Sequence, residues 1–342
     1  MVISKIKFFY FCLAISTAVL FIGCDRETEN LDEQDLIEDP VAFSVLSDFM
    51  VSQPTADFAN GETVFFNAEF NKNVSWIIEI TGSESGSIKR MEGFSKALDA
   101  TNTSWNGGTT ELPLFREERV NAVLLIPEMP DFLETANIEV LSEKEFEGIL
   151  FTDFEEYMEM DLILRDYEFE LTPETGLQTD FPLEGDSYYQ LEGTDDVVEN
   201  FFVGLMEIKS SVTGSNILEL PTTSPEDLFF NFFLLSDGGP HGEVIVQFFV
   251  DTNDSGVFEG DPVSEDRSFR VAINYDLSTF NGWKQISHPM SDTGMTQEER
   301  EKIVAIRLIL ISDFDTQPTP PLEVNFGVDF LTFTVDGPLD LN

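Results

Sequence analysis

From Val41 onward, short apolar runs are divided by Gly, Asn, Asp and Pro, the pattern of an all-β sandwich or barrel. Strands are expected first at Thr63 to Phe70, Val74 to Thr81 and Arg119 to Ile126. Pro127-Glu128-Met129-Pro130-Asp131 then interrupts the series, because two prolines so close do not fit a central strand. A linker is therefore expected between about Pro127 and Lys144. A longer series follows: Leu150 to Tyr157, Ser187 to Glu192, Phe201 to Met206, Leu228 to Ser236, Glu243 to Asp251, Ser268 to Tyr275, Ile303 to Ser312 and Val324 to Val335. In Glu243 to Asp251, Val244, Val246, Phe248 and Val250 share one face, while Ile245 and Phe249 make the other largely apolar. Such a strand is expected to be covered on both sides. Helix is expected only after Thr296-Gln297-Glu298-Glu299, a capping-box pattern. Nothing alternates strands with long helices, which argues against Rossmann and TIM architectures.

The first 40 residues follow a different logic. Lys5 and Lys7 precede an apolar run from Phe8 to Ile22, broken only by Ser16 and Thr17, which is too short to cross a bilayer comfortably as a helix. Residues 1–23 are therefore expected to be a secretory signal. Its end, Phe21-Ile22-Gly23-Cys24, resembles a bacterial lipobox, with Phe21 where leucine is usual; the resemblance implies cleavage before Cys24 and acylation of its thiol. Ordinary cleavage leaving Cys24 as a free thiol is the alternative. Cys12 would leave with the signal, so no disulfide within the mature chain is expected. Residues 24–40 are strongly acidic and read as a solvated tether. An acidic stretch behind a lipidated cysteine also resembles the signal that carries lipoproteins of Bacteroidota to the outer face of the outer membrane.

Charge narrows the partners. The 342 residues hold 65 acids and 18 bases, a net charge of −47, which repels nucleic acid and anionic lipid. Membrane contact is expected through the lipid anchor only. Thirty-three phenylalanines, with abundant Val, Ile and Thr, favour strands. The length beyond the tether calls for two domains, placed at 41–140 and 146–339.

Four segments recur in this order in galactose-binding-like jelly rolls, the fold of many carbohydrate-binding modules. They are Leu150-Phe151-Thr152-Asp153-Phe154-Glu155, Leu183-Glu184-Gly185-Asp186-Ser187-Tyr188-Tyr189, Gly282-Trp283-Lys284, and Gly327-Val328-Asp329-Phe330-Leu331-Thr332-Phe333-Thr334. The earlier segments Val74-Ser75-Trp76-Ile77-Ile78-Glu79-Ile80-Thr81-Gly82 and Thr103-Ser104-Trp105-Asn106-Gly107 resemble an immunoglobulin- or PKD-like module without its paired cysteines. The fold expected is all-β: an N-terminal immunoglobulin-like β-sandwich followed by a galactose-binding-like jelly roll. The jelly-roll resemblance implies a structural calcium where first and last strands meet, assigned to Glu155 and Asp329, with Asp153 and Asp186 beside them. The alternative is that these are solvated strand-end acids.

Asp251-Thr252-Asn253-Asp254-Ser255-Gly256 places oxygens at positions one, three and five and glycine at six, the opening of a calcium loop through Asp251, Asn253 and Ser255. The twelfth position is Pro262, where an EF-hand needs glutamate, so a plain hairpin turn is the favoured reading.

Enzyme chemistry is not expected. Gly185-Asp186-Ser187 looks like the nucleophile block of lipase-like hydrolases, but the chain has two histidines, His241 and His288, and neither has the usual aspartate spacing. There is no His-x-x-x-His pair for zinc. Glycoside hydrolysis needs only two carboxylates and stays open on residue types. Sugar binding needs an aromatic face and a few polar groups, for which Tyr188, Tyr189, Trp283 and Trp105 are the candidates, each also a plausible core residue. The function expected is non-catalytic capture of a neutral polysaccharide or oligosaccharide at the cell surface, beside outer-membrane uptake proteins. The rival is a structural or adhesive lipoprotein that binds a protein partner.

Overall fold

The computed structural model describes residues 42–155, 163–167, 170–171, 175–195, 202–209, 225–239, 242–259, 265–311 and 322–342. The signal, Cys24, all of the acidic stretch, His241 and Pro262 lie outside them. Val45–Asn342 forms one compact unit. Strand dominates the described residues, which hold one four-residue α-helix, α1 (Gln297–Arg300), and short 3-10 turns, and the fold is all-β.

The first six strands form one hydrogen-bonded sheet: β1 (Val45–Val51), β2 (Thr55–Asp57), β3 (Phe66–Gly82), β4 (Ile88–Leu98), β5 (Arg119–Leu125) and β6 (Leu133–Ser142). The two strands expected at Thr63 to Phe70 and Val74 to Thr81 are a single 17-residue β3. Along one edge β3 pairs with β1 and then β5, and along the other with β4, where the register shifts between Glu69 and Val74. Its inward positions Phe66, Phe70, Trp76, Ile78 and Ile80 are buried. The absence of a side chain at Gly93 matters there: a Cβ would come within 2.4 Å of the Trp76 ring. The linker expected from Pro127 to Lys144 is instead largely strand β6, whose Ala136, Ile138 and Val140 point inward at period two. The prolines only make the turn before it.

The remaining strands build a two-layer sandwich. One sheet holds β7 (Ile149–Thr152), β9 (Glu170–Leu171), β10 (Gly176–Gln178), β11 (Tyr188–Asp195), β13 (Leu228–Asp237), β17 (Asn281–Pro289) and β19 (Leu322–Val335). The second holds β8 (Ile163–Tyr167), β12 (Phe202–Lys209), β14 (Glu243–Val250), β15 (Arg267–Arg270), β16 (Tyr275–Asp276) and β18 (Ile303–Ile311). Between them lie Tyr189, Leu191, Phe230, Phe232, Phe326 and Phe333 from the first sheet, facing Met206, Val246, Phe248, Ile306 and Leu308 from the second. β14 is covered on both faces as expected, with Ile245 and Phe249 also buried. The capping box forms: Thr296 Oγ1 accepts from Glu299 N–H, and Glu299 Oε2 accepts from Thr296 N–H.

A seam joins the six-stranded sheet to the outer side of the first sandwich sheet. Leu114 and Leu183 pack with Phe233 and Leu339, flanked by Phe146, Trp283, Phe330 and Leu341. Leu114 N–H donates to Leu183 O at 2.8 Å, and Arg116 Nη2 donates to Pro182 O at 2.8 Å. The last residues cross the same seam: Leu339 N–H donates to Asn231 Oδ1, while Leu341 O accepts from Thr109 N–H.

Candidate functional site

The outer face of the first sandwich sheet is largely filled by the seam, and this decides the fate of the expected aromatic platform. The adjacent tyrosines of β11 split by alternation. Tyr189 points into the sandwich core and is fully buried. Tyr188 faces outward but is only 4% exposed: its ring lies against Gly327, where a Cβ would sit 3.0 Å from it, and meets Trp283 edge-on at 5.5 Å. The Tyr188 hydroxyl donates to Asp180 Oδ1, and burial, followed by the charge of Asp180, raises its pKa. Trp283 is half-buried and gives its Nε1–H to Phe181 O. Trp105 is 1% exposed, wedged between Phe58 and Phe115, with Nε1–H donated to Gly108 O. Tyr188, Tyr189 and Trp105 are therefore packing residues rather than a sugar platform, and Trp283 is mostly spent on the seam.

The expected calcium carboxylates do gather at the seam. Asp329 is fully buried; its Oδ2 accepts from Leu183 N–H at 3.0 Å and its Oδ1 from Phe330 N–H at 2.8 Å. Glu155 Oε1 accepts from the N–H groups of Asp186 and Ser187, both at 2.8 Å. Asp186 itself is exposed, and Asp153 Oδ1 accepts from Glu155 N–H. Sequence reasoning missed the central member, Glu184, whose buried Oε1 has no hydrogen-bond partner. Burial pushes its pKa up to about 8, helped by the charges of Glu143, Asp153 and Glu155 against the opposing Arg116. Burial likewise raises Asp329, Glu155 and Glu143. Among the described residues no three acidic, histidine or cysteine side chains stand ready to hold a metal. Glu184 is the member able to ligate without giving up a hydrogen bond.

Beside Glu184 lies a cavity of about 250 Å³ lined by Glu143, Phe115, Phe146 and Phe330 among others. Glu143 and Glu184 are two carboxyls beside aromatics, and burial raises both, Glu184 to about 8. The triad reading finds no support in the contacts: Ser187 Oγ donates to Phe154 O, and buried His288 meets the Tyr275 hydroxyl through Nδ1 at 3.2 Å.

Asp251 closes a turn. It is fully buried, its Oδ1 accepts from the N–H groups of Asn253 and Ser255, and its Oδ2 accepts from Gly256 N–H. Asn253 Oδ1 accepts from Ser255 N–H, and Ser255 Oγ donates to Val257 O. The oxygens expected on calcium thus serve the loop's own backbone. The loop carries Phe258 onto Phe249, edge-on at 4.5 Å.

That contact leads to the outer face of the second sheet. There the register aligns Arg270, Gln247, Arg307 and Glu207 in one row across β15, β14, β18 and β12. At about 4.8 Å between strands, the row is on the order of 14 Å long. Arg307 donates from Nε (3.1 Å) and Nη2 (2.5 Å) to Glu207 Oε2, so Oε1 takes part in neither bond. Its guanidinium lies 4.3 Å over the Phe249 ring, and Gln247 Nε2 donates to Ser268 Oγ at 3.0 Å. Gln247 and Arg307 remain half-buried and Arg270 is exposed. Period-two alternation marked β14 as two-faced, but only pairing across three further strands brings these polar groups together.

No family model matches the chain, and no curated protein matches it. Solved structures do resemble it, and carbohydrate-binding modules recur among them. One comes from work on the promiscuous specificity of carbohydrate-binding modules of the β-sandwich superfamily, at 14% identity over 85% of this chain and 98% of that one, with a TM-score of 0.36. SGBP-B from a complex xyloglucan utilization locus in Bacteroides uniformis matches at 14% identity over 84% and 73%, TM-score 0.36. A family 30 carbohydrate-binding module matches at 9% identity over 56% and 89%, TM-score 0.37.

Proposed function

We propose that this protein is a surface lipoprotein that captures a neutral glycan without chemistry, on the outer face of the β15-β14-β18-β12 sheet. The observation that carries the reading is the row Arg270, Gln247, Arg307 and Glu207, a line of planar hydrogen-bonding groups in which Gln247, Arg307 and Glu207 are held by side-chain partners and Arg270 is placed by strand register. Sugar hydroxyls need donors and acceptors in fixed positions, and a stiff row supplies them at little entropic cost. Glu207 balances the charge of Arg307, and a net charge of −47 opposes an anionic chain, which favours a neutral ligand. The lipobox-like Phe21-Ile22-Gly23-Cys24 and the acidic stretch behind it support lipid anchoring at the outer membrane, facing outward, beside uptake proteins. The immunoglobulin-like reading of the first sheet belongs to the same proposal, as a spacer. A structural calcium at the seam would draw on Glu184, whose Oε1 is unpartnered, and would need Glu155 and Asp329 to turn toward it, since the three do not already form a metal-holding group.

Gln247→Ala tests the site, since Gln247 bonds only the exposed Ser268 hydroxyl and its loss leaves the fold intact. Binding of any retained glycan should weaken about tenfold, equivalent to about 1.4 kcal/mol. Unchanged binding in this variant, with loss on Trp283→Ala, would move the site to the other sheet. A protein-binding role is favoured by one feature: the half-buried Ile309 and Leu205 pair across β18 and β12 as aliphatic neighbours of the polar row.

A further inference from the structure

The strand β4 has one edge in use and one largely open. Along the first it pairs with β3 from Thr81↔Ile88 to Ala68↔Leu98. Among the described residues the other edge meets only the Thr109-Thr110-Glu111 segment, at its start. Ile88 N–H donates to Glu111 O, Thr110 and Glu111 N–H donate to Ile88 O, and Arg90 N–H donates to Thr110 Oγ1. Those bonds set the phase: even-numbered residues of β4 turn their backbone groups to the open edge. Beyond Arg90, Glu92, Phe94 and Lys96 present theirs, and among the described residues no strand pairs there. Their side chains alternate onto the solvent face, with Phe94 68% exposed.

We propose that β4 pairs antiparallel, edge to edge, with β4 of a second copy of this chain, about a twofold axis at Phe94. The sequence around that point is self-complementary. With Phe94 opposite Phe94, Glu92 falls opposite Lys96 of the second copy, and Lys96 opposite its Glu92. All three pairs fall on residues whose N–H and C=O groups face the open edge, so each exchanges two hydrogen bonds. Cross-strand opposite charges and aromatic pairs both favour this register. Centring the axis on Ser95 instead places Glu92 opposite Leu98 and loses both charge pairs. A twofold operator closes the assembly as a dimer and removes the open edge from both copies. The interface is small, so the dimer is weak and concentration-dependent.

Sedimentation equilibrium of Asp25–Asn342, which keeps the whole compact unit Val45–Asn342, tests this at physiological salt. A monomer–dimer equilibrium is expected, weakened at least tenfold by Glu92→Lys alone and by Lys96→Glu alone, each of which sets like charges opposite one another. An equimolar mixture of the two variants should recover the dimer, because opposite charges then meet across the axis. The double substitution should recover it as well. Monomer throughout the concentration range, or a dimer indifferent to these substitutions, would overturn the proposal.

Discussion

Glu184→Gln is the most informative single substitution at the seam. The Glu184 carboxyl, pushed up to about 8 chiefly by burial, belongs to a residue whose ordinary value is 4.5. Between those two values the folded chain keeps a proton that the unfolded chain has released, so stability falls as pH rises. At 1.36 kcal/mol per pKa unit, the loss is about 3 kcal/mol by pH 7 and approaches about 5 kcal/mol above pH 8. Glutamine keeps the shape of the protonated acid and cannot ionise. The variant should therefore be more stable by about 3 kcal/mol at pH 7, or roughly 5 °C in Tm, with the gain vanishing near pH 4.5. Thermal unfolding followed by circular dichroism at several pH values, in chelator, measures this directly. A Tm difference that does not change with pH, or a variant no more stable than the parent at pH 8, would refute the reasoning. Added calcium separates the metal proposal. The parent chain should gain stability and the glutamine variant should gain much less, whereas no gain in either removes calcium from the seam.

Other substitutions test other parts of the molecule. Asp251→Ala should cost about 2–4 kcal/mol in urea unfolding, with or without calcium, because it strands the amides of Asn253, Ser255 and Gly256. His288 is buried, which lowers its pKa from 6.5, so its contribution is fully present above pH 6.5 and is lost as pH falls; Tm should decline on the acid side, and a flat profile there would contradict this. Tyr275→Phe removes the hydroxyl facing His288 Nδ1 and should cost about 1–2 kcal/mol by the same assay. Trp105→Ala should cost about 3–5 kcal/mol while leaving the affinity of any bound glycan unchanged, since the side chain is core.

Much of the architecture was legible from local pattern. The alternation in β14, the capping box at Thr296 and the turn-forming Asp251-Thr252-Asn253-Asp254-Ser255-Gly256 are local signals, and the structure realises each. What failed was weighting: two prolines outvoted the inward Ala136, Ile138 and Val140 of β6, and β4, with Gly93 at its centre, was not expected as a strand. Burial was harder still. Trp105 in an Asn-Gly-Gly loop looks exposed until Phe58 and Phe115 close on it, contacts that span 47 and 10 residues of chain. Glu184 sits within a segment already singled out, yet its raised pKa comes from burial and from the charge of Glu143, which arrives from beyond β6. The polar row depends on the register of four strands spread over 100 residues, which no window of sequence contains.

Affinity electrophoresis of Asp25–Asn342 through neutral and acidic polysaccharides tests the central claim most directly. Retardation by at least one neutral glycan, weakened about tenfold by Gln247→Ala and unchanged by Trp105→Phe, is the expected result. A folded protein that runs unretarded through every neutral gel would contradict glycan capture and leave the Ile309 and Leu205 pair beside the polar row as the surface to pursue with protein partners.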